Sequence, residues 1–177
     1  MQLGKYNVAQ VILDEHKGDI EANFPDDHPA RQSVINNQAL LHKLNGKYFE
    51  AKEMFSETHY AYTQIYGQHH PSTINSLINL ATVHKDLHEH DIAAELFEQA
   101  IVGRRETEGE DSVNYAMVKA MAAGSYRELG QYAKSEEYLK DAYMKIAMEH
   151  GEENMAASQI LNSMGLLYKA QGKLERS

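Results

Sequence analysis

The 177-residue sequence contains no cysteine, only three prolines, and no long run of apolar residues. The absence of cysteine excludes disulfide bonds and thiolate metal sites, and it leaves the redox compartment open. No apolar stretch approaches the roughly 20 residues of a membrane-spanning helix, so we expect no membrane partner. The first residues have neither signal-peptide nor transit-peptide character. The expected location is therefore cytoplasmic, unless a targeting segment precedes these residues in a longer chain.

An excess of positive charge is also lacking, because the formal net charge is −9. Nucleic acids and anionic membranes both recruit cationic protein faces. Neither is therefore the expected main partner.

Motifs for catalysis and for metal or cofactor binding are missing as well. We find no glycine-rich phosphate loop, nucleophile elbow or metalloprotease motif. His88 and His90 form a His-x-His pair, but no third ligand lies at a usual spacing. His59, His69 and His150 are interpreted as surface residues. We expect no metal, no cofactor and no enzymatic activity.

The main positive feature is a repeat of 42 residues. Three columns, whose members are spaced 42 residues apart, illustrate it. A glycine column comprises Gly4, Gly46, His88, Gly130 and Gly172. A small-residue column comprises Ala9, Ala51, Ala93, Ser135 and Ser177. A large apolar column comprises Leu13, Phe55, Phe97 and Leu139. Self-similarity at a fixed period predicts stacked repeats, which build extended binding surfaces rather than one enclosed reaction pocket.

Each period accommodates two helices joined at the glycine column, where glycine can supply a left-handed helix terminus. The predicted first helices are Ala30–Leu44, Ser72–Asp86, Asn114–Glu128 and Ala156–Ala170. The predicted second helices are Lys5–Asn23, Lys47–Tyr66, Glu89–Glu108 and Gln131–His150. All three prolines lie in turns between pairs, and Pro29 and Pro71 suit the first helical position because its N–H needs no partner.

These columns resemble the tetratricopeptide repeat in the 42-residue form found in kinesin light chains. Residues 27–56 and 70–98 carry the resemblance best, and residues 161–175 are also close. The resemblance implies an all-α fold, a right-handed α-solenoid of eight main helices in antiparallel pairs. HEAT or armadillo repeats have an overlapping period, but they would not explain the Gly-x-Tyr turn and the alanine column that follows it.

We expect a single repeat array over residues 1–177. Its predicted parts are a second helix in 1–28, full repeats in 29–70, 71–112 and 113–154, and a partial repeat in 155–177. Neither end has the polar cap that keeps a natural solenoid soluble. The chain is therefore interpreted as a fragment of a longer array, or as an array whose uncapped repeats self-associate end to end.

The resemblance implies a concave groove, lined by the first helices, that binds a peptide segment of a protein partner. It nominates four asparagines: Asn36, Asn37, Asn75 and Asn79. Asparagine is a poor helix former, and an amide can both donate to and accept from an extended peptide backbone. Alternatively, these amides bond to neighbouring helices.

A basic residue recurs near the end of every first helix. The column comprises Lys43, Lys85, Arg127 and Lys169. It predicts that the bound peptide is acidic, although cations are also favoured at helix C-termini by the helix dipole.

In the third full repeat (113–154), Met117 and Met121 lie near Gly124 and replace the asparagines of the other repeats. Flexible methionines beside a small residue could accept an apolar side chain of the partner. Lys119 occupies a column that holds Ile35 and Leu77 elsewhere, which favours the alternative of a loosely packed helix.

A second function remains open. The array could be a scaffold subunit that packs within a larger complex through its second helices and its ends. Many exposed apolar residues on the second helices would favour the scaffold, whereas an open polar groove would favour peptide binding.

Overall fold

The computed structural model describes residues 11, 13, 15, 18–20, 22–25, 28–151 and 154–172 of the chain. Every regular element in this part is an α-helix, which confirms the all-α prediction. The complete helices are α1 (Pro29–Leu44), α2 (Tyr48–Tyr66), α3 (Pro71–Asp86), α4 (His90–Glu108), α5 (Val113–Glu128), α6 (Tyr132–His150) and α7 (Met155–Ala170). None of these seven combines the length and the apolar composition that crossing a membrane requires.

The predicted helices agree with these bounds to within one residue at each end. The predicted helix Lys5–Asn23 is the exception, because part of it lies outside the described residues. Its described residues between 11 and 23 are helical.

The molecule divides into two compact units, Met1–Leu87 and His88–Ser177. In the first unit, α1 packs against α2 and α2 packs against α3. In the second unit, α4 packs against α5, α5 against α6, and α6 against α7. The connecting turns are short, so consecutive helices within a unit run antiparallel. The predicted repeat starts at 29, 71, 113 and 155 coincide with the first residues of α1, α3, α5 and α7.

The repeated small and large apolar columns form the core of each unit. Ala51 and Phe55 on α2 are fully buried, as are Ala93 and Phe97 on α4. A small side chain allows neighbouring helix backbones to approach, and a buried phenylalanine contributes about 1.5–3 kcal/mol. The 42-residue pattern therefore reports core packing directly.

The turn inside each helix pair adopts the predicted left-handed conformation. Its φ angles are 76° at Gly46, 72° at Gly130 and 72° at Gly172. His88 occupies the same column with a φ of 62°. A residue with a Cβ atom pays roughly 1–2 kcal/mol in this conformation, so the backbone is strained at His88.

The four complete first helices all begin with a side-chain cap. Each cap side chain accepts a hydrogen bond of 2.9–3.2 Å from a backbone N–H two or three residues ahead. The cap residues are His28, His70, Ser112 and Asn154. Pro29 and Pro71 follow two of them at the start of the helix, as predicted. The caps satisfy N–H groups that have no partner inside a helix.

Candidate peptide-binding surface

In the first unit, the predicted binding residues lie on α1 and α3. Asn37 and Asn75 are exposed, whereas Asn36, Asn79, Lys43 and Lys85 are half-buried. On a helix with 3.6 residues per turn, Asn36 and Lys43 face almost the same direction, because seven residues make nearly two turns. An amide and an ammonium group are therefore presented side by side on α1.

The half-buried asparagines bond to each other across the two helices. The side-chain amide of Asn79 donates a hydrogen bond of 3.0 Å to Oδ1 of Asn36. This contact is the alternative that the sequence left open, in which an amide bonds to a neighbouring helix. The contact uses one donor of Asn79 and one lone pair of Asn36, so each amide keeps further hydrogen-bonding capacity.

The first basic residue of the column forms an ion pair between the same two helices. Lys43 Nζ lies 3.4 Å from Asp86 at the end of α3, and both side chains are about a quarter exposed. A partly exposed pair of this kind contributes little stability, typically less than about 1 kcal/mol. An incoming carboxylate can therefore share Lys43 at low cost.

In the second unit, the basic residues lie on α5 and α7. Arg127 bonds its neighbour Glu128 through Nε and Nη2, at 3.1 and 2.7 Å from the same carboxylate oxygen. The Arg127 guanidinium lowers the pKa of Glu128 below its usual value. Lys169 is exposed near the end of α7.

The predicted methionines Met117 and Met121 are half-buried on α5. Lys119 lies between them in sequence and is 7% exposed. Its ammonium forms an ion pair with Asp141 and lies 4.7 Å from the ring centre of Tyr138. The buried lysine is thus packed and compensated, which accounts for a charged residue in an otherwise apolar column.

A polar network that the sequence analysis missed joins α4, α5 and α6 in the second unit. The Glu98 carboxylate accepts hydrogen bonds from Tyr126 at 2.5 Å and from Tyr138 at 2.7 Å. The same oxygen lies 2.9 Å from Lys134 Nζ. That ammonium lies 4.2 Å from the Tyr126 ring centre and 5.4 Å from that of Tyr138. The corresponding register holds Ser56 and Lys140, so no repeated column signalled this cluster.

The network shifts the ionisation of its members in opposite directions. Burial acts to raise the pKa of Glu98, but the bonds from Tyr126, Lys134 and Tyr138 outweigh it and lower the pKa. Burial raises the pKa of Tyr138, and the Glu98 carboxylate raises it further. These groups stay in fixed charge states near neutral pH and hold three helices together.

His59 differs from the prediction of a surface residue. It is half-buried, and its Nδ1 lies 3.0 Å from the hydroxyl oxygen of Ser76 on α3. Burial lowers the pKa of His59, although a hydrogen bond with the Thr73 backbone partly opposes the shift. A packing contact between α2 and α3 therefore replaces the expected solvent exposure.

Among the described residues, no three histidine, aspartate or glutamate side chains converge as a metal site requires. In the titratable cluster around Glu98, one carboxylate oxygen accepts both tyrosine hydroxyls and pairs with Lys134. The first unit thus presents amides and cations, and the second presents cations and methionine side chains, which are groups for binding a ligand.

Comparison with known proteins identifies the repeat. The tetratricopeptide repeat family matches residues 31–106. A Podosopora anserina structure, described as nearly identical TPR-like repeats of a kinesin light chain, superposes on this chain with a TM-score of 0.80. That superposition covers 98% of this chain and 82% of the other, at 21% identity. Residues 31–106 therefore belong to the tetratricopeptide repeat family, and the fold of the chain is that of the kinesin-light-chain-like repeats.

A second structural neighbour is BtubC (BKLC) from P. vanneervenii. It superposes with a TM-score of 0.74 at 20% identity and covers 97% of this chain and 67% of its own. Likeness at this identity shows a shared fold, and it confirms the predicted α-solenoid class. The right-handed stacking remains a prediction.

Similar stretches occur within much larger proteins. A clustered mitochondria protein homologue of Candida albicans is 25% identical over 133 residues, which is 73% of this chain and 10% of the relative. The homologue of Meyerozyma guilliermondii is 32% identical over 89 residues, which is 50% of this chain and 7% of the relative. The chain thus spans a tenth or less of the length of these relatives.

Proposed function

We propose that this chain is a non-catalytic interaction module whose first helices bind an extended, acidic segment of a protein partner. Tetratricopeptide repeats generally mediate protein–protein interactions, and the finer assignment depends on the chemistry of α1 and α3. The observation that carries it is the polar face of the first unit, where Asn36, Asn79, Lys43 and Lys85 are all partly accessible.

The two contacts between α1 and α3 support this proposal. The bond between Asn36 and Asn79 orients both amides, so a ligand does not have to order them. The pair between Lys43 and Asp86 holds an ammonium group on the same face, and it is weak enough to exchange for a ligand carboxylate. Oriented amides suit a peptide backbone of any sequence, and the cation favours acidic side chains.

Binding of defined peptides tests the proposal. The probe is a fluorescent 12-residue peptide rich in Asp and Glu, and its Asn and Gln analogue is the uncharged reference. We expect the acidic peptide to bind more tightly, and its affinity to fall as salt rises because exposed charges are screened. Charge reversal of both basic residues (Lys43→Glu with Lys85→Glu) should lower its affinity at least tenfold.

Lys47 provides the matched control. It is exposed and lies just before α2, outside the first helices. Lys47→Glu makes the same charge change per site and should alter affinity less than twofold. Equal losses for Lys47→Glu and for the first-helix variants would mean that net charge, rather than this face, attracts the peptide.

A scaffold role is the second candidate, and the second unit carries the observation that favours it. Met144 and Met148 on α6 are 56% and 86% exposed, and Val102 on α4 is also exposed. Met144 and Met148 lie about one helical turn apart, and a contiguous exposed apolar patch is typical of a surface that packs against another protein. Photo-crosslinking from a diazirine analogue of methionine at position 148 in cells tests this role. Defined protein adducts that persist in the presence of the acidic peptide would support the scaffold.

A further inference from the structure

The outward face of α2 carries two exposed aromatic side chains in one line. Phe49 is 67% exposed and Tyr60 is 68% exposed. Eleven residues on an α-helix make three turns to within about 20°, so the two rings share one direction and are separated by about 16.5 Å along the axis. Phe55 and Thr58 are fully buried and lie on the opposite side of the helix. The two aromatics therefore form a ridge that faces away from the core of the first unit, and we call Phe49 and Tyr60 the α2 ridge.

Carboxylates flank the α2 ridge on one side. Glu50, Glu53 and Glu57 are all exposed. By helical geometry they lie about 40° to 100° from Phe49 in the same rotational sense. Ser56 lies between the two aromatics, and its small side chain leaves space between the rings. The face thus combines two aromatic surfaces with a row of negative charge.

A cation already occupies one edge of this face. Lys52 Nζ lies 5.6 Å from the centre of the Phe49 ring. An aromatic ring attracts cations through its quadrupole, and arginine adds planar stacking and bidentate bonding to carboxylates. The chemistry that complements the α2 ridge is therefore a guanidinium group that stacks on a ring while it bonds a neighbouring carboxylate.

We propose that the α2 ridge is a docking surface for an arginine-rich helical segment of a protein partner. The ridge lies on a second helix, so this site goes beyond the acidic-peptide surface of α1 and α3 and has the opposite charge preference. Arginines of the partner stack on Phe49 and Tyr60 and pair with Glu53 and Glu57. An amphipathic helix fits the spacing, because its own residues eleven apart also share one face.

The other repeats provide the reference for this assignment. The register of Phe49 holds Asp91 on α4 and Ala133 on α6, and the register of Tyr60 holds Val102 and Met144. The register of Glu53 is acidic throughout, with Glu95 and Glu137. Acidity on the second helices is thus general, whereas the aromatic pair occurs on α2 alone of these three helices.

The test uses three synthetic 20-residue helical peptides and the full chain. The first peptide has arginines at positions i, i+4, i+7 and i+11 among leucines, the second has lysine there, and the third has citrulline. Citrulline keeps the size and planarity of arginine without its charge. Binding is measured by fluorescence anisotropy at 150 mM salt. We expect the arginine peptide to bind about tenfold more tightly than the lysine peptide. The citrulline peptide should bind at least tenfold more weakly than the arginine peptide.

Variants of the chain then locate the binding. The pair Phe49→Ala and Tyr60→Ala should lower affinity for the arginine peptide at least tenfold, with unchanged helical circular dichroism. The isosteric pair Glu53→Gln and Glu57→Gln should do the same, and it tests the surface independently of the aromatic truncation.

The matched pair Glu95→Gln and Glu137→Gln removes the same amount of charge, at the register of Glu53, on helices that lack the aromatic pair. It should change affinity for the arginine peptide less than twofold. Equal losses for the matched pair, equal binding of citrulline peptide, or no effect of the aromatic substitutions would each overturn the proposal. Concentration-dependent sedimentation that Phe49→Ala abolishes would also overturn it, because the occupant would then be a second copy of the chain.

Discussion

Asn79 and Asn36 lie in consecutive repeats, 43 residues apart, and share a hydrogen bond of 3.0 Å between their side-chain amides. The bond contributes to holding α3 against α1, as well as presenting both amides on the candidate surface. We expect Asn79→Ala to lower the free energy of unfolding by about 0.5–1.5 kcal/mol, the usual contribution of one hydrogen bond. Urea denaturation of both single variants and of the double variant measures the coupling. If the two losses simply add, the bond does not stabilise the fold.

The strained position His88 gives a prediction of increased stability. Its φ of 62° suits glycine, which fills the four other places of the same column. His88→Gly should raise the free energy of unfolding by about 1 kcal/mol, because the left-handed conformation then costs no Cβ contact. Gly130→Ala in the same column should lower it. A stability loss on His88→Gly would show that the contact of His88 with the His90 ring, 5.6 Å between ring centres, outweighs the strain.

His59 gives a pH dependence. Burial lowers the pKa of His59 below its ordinary value of 6.5, so the folded protein favours the neutral ring. The unfolded chain then binds the proton more readily than the folded chain. The stabilisation that His59 provides is present above about pH 6.5 and is lost as the pH falls through the lower folded pKa.

Nine other histidines also titrate, so the comparison uses a variant. His59→Gln keeps a polar side chain that does not titrate in this range. Urea unfolding of both proteins between about pH 8 and pH 5 should show a smaller stability loss in the variant. Identical slopes in the two proteins would mean that His59 titrates alike in both states.

Substitutions at Lys119 and Asp141 distinguish how much packing and how much the ion pair contribute to stability. Lys119→Leu places an apolar residue in a column that holds Leu77 and Leu161, and Asp141 can turn to solvent. We expect this variant to be unchanged or more stable, whereas Asp141→Asn should cost roughly 1–3 kcal/mol because it leaves a buried ammonium without its counterion. Thermal unfolding of the two variants compares them directly. A large loss of stability for Lys119→Leu would mean that the ion pair itself stabilises the fold.

Gly124 tests the methionine surface on α5. If Met117 and Met121 border a pocket for an apolar side chain of the partner, Gly124→Leu fills it. Partner binding should then be lost, while the helical signal stays the same and the melting temperature is nearly unchanged, since leucine is also the better helix former. A clear fall in melting temperature would instead mean that Gly124 permits close helix packing.

The sequence predicts the fold well because each structural position recurs in several repeats, so an unusual residue in one repeat does not obscure the pattern. Phe55 and Phe97 are buried for the same geometric reason, so one column predicts both. Contacts that occur only once carry no such signal. Glu98 bonds two tyrosines from other helices, yet its register holds serine and lysine in other repeats. The prediction that His59 is a surface residue is wrong for the same reason. Its contact with Ser76 depends on how α2 packs against α3, which one sequence position does not indicate.

The candidate surface was predictable in part. The columns placed Asn36, Asn79 and Lys43 on first helices, as the structure shows. That Asn79 bonds Asn36, and that Lys43 bonds Asp86, follows from an offset of 43 residues rather than 42. A side chain on one edge of a helix meets the opposite edge of the next, so its partner falls one register later. Column analysis alone compares equivalent positions and does not detect such pairs.

The helix caps have a consequence for how this sequence can evolve. Imidazole, hydroxyl and amide groups occupy the four cap positions, and the backbone ψ angles stay between 135° and 159°. Any small acceptor that reaches the first free N–H groups serves equally. Exchanging the residue types of His28, His70, Ser112 and Asn154 among these four positions should therefore preserve the start of each first helix. A set of repeats recombined by duplication or exchange would keep its joints intact whichever cap each copy inherited.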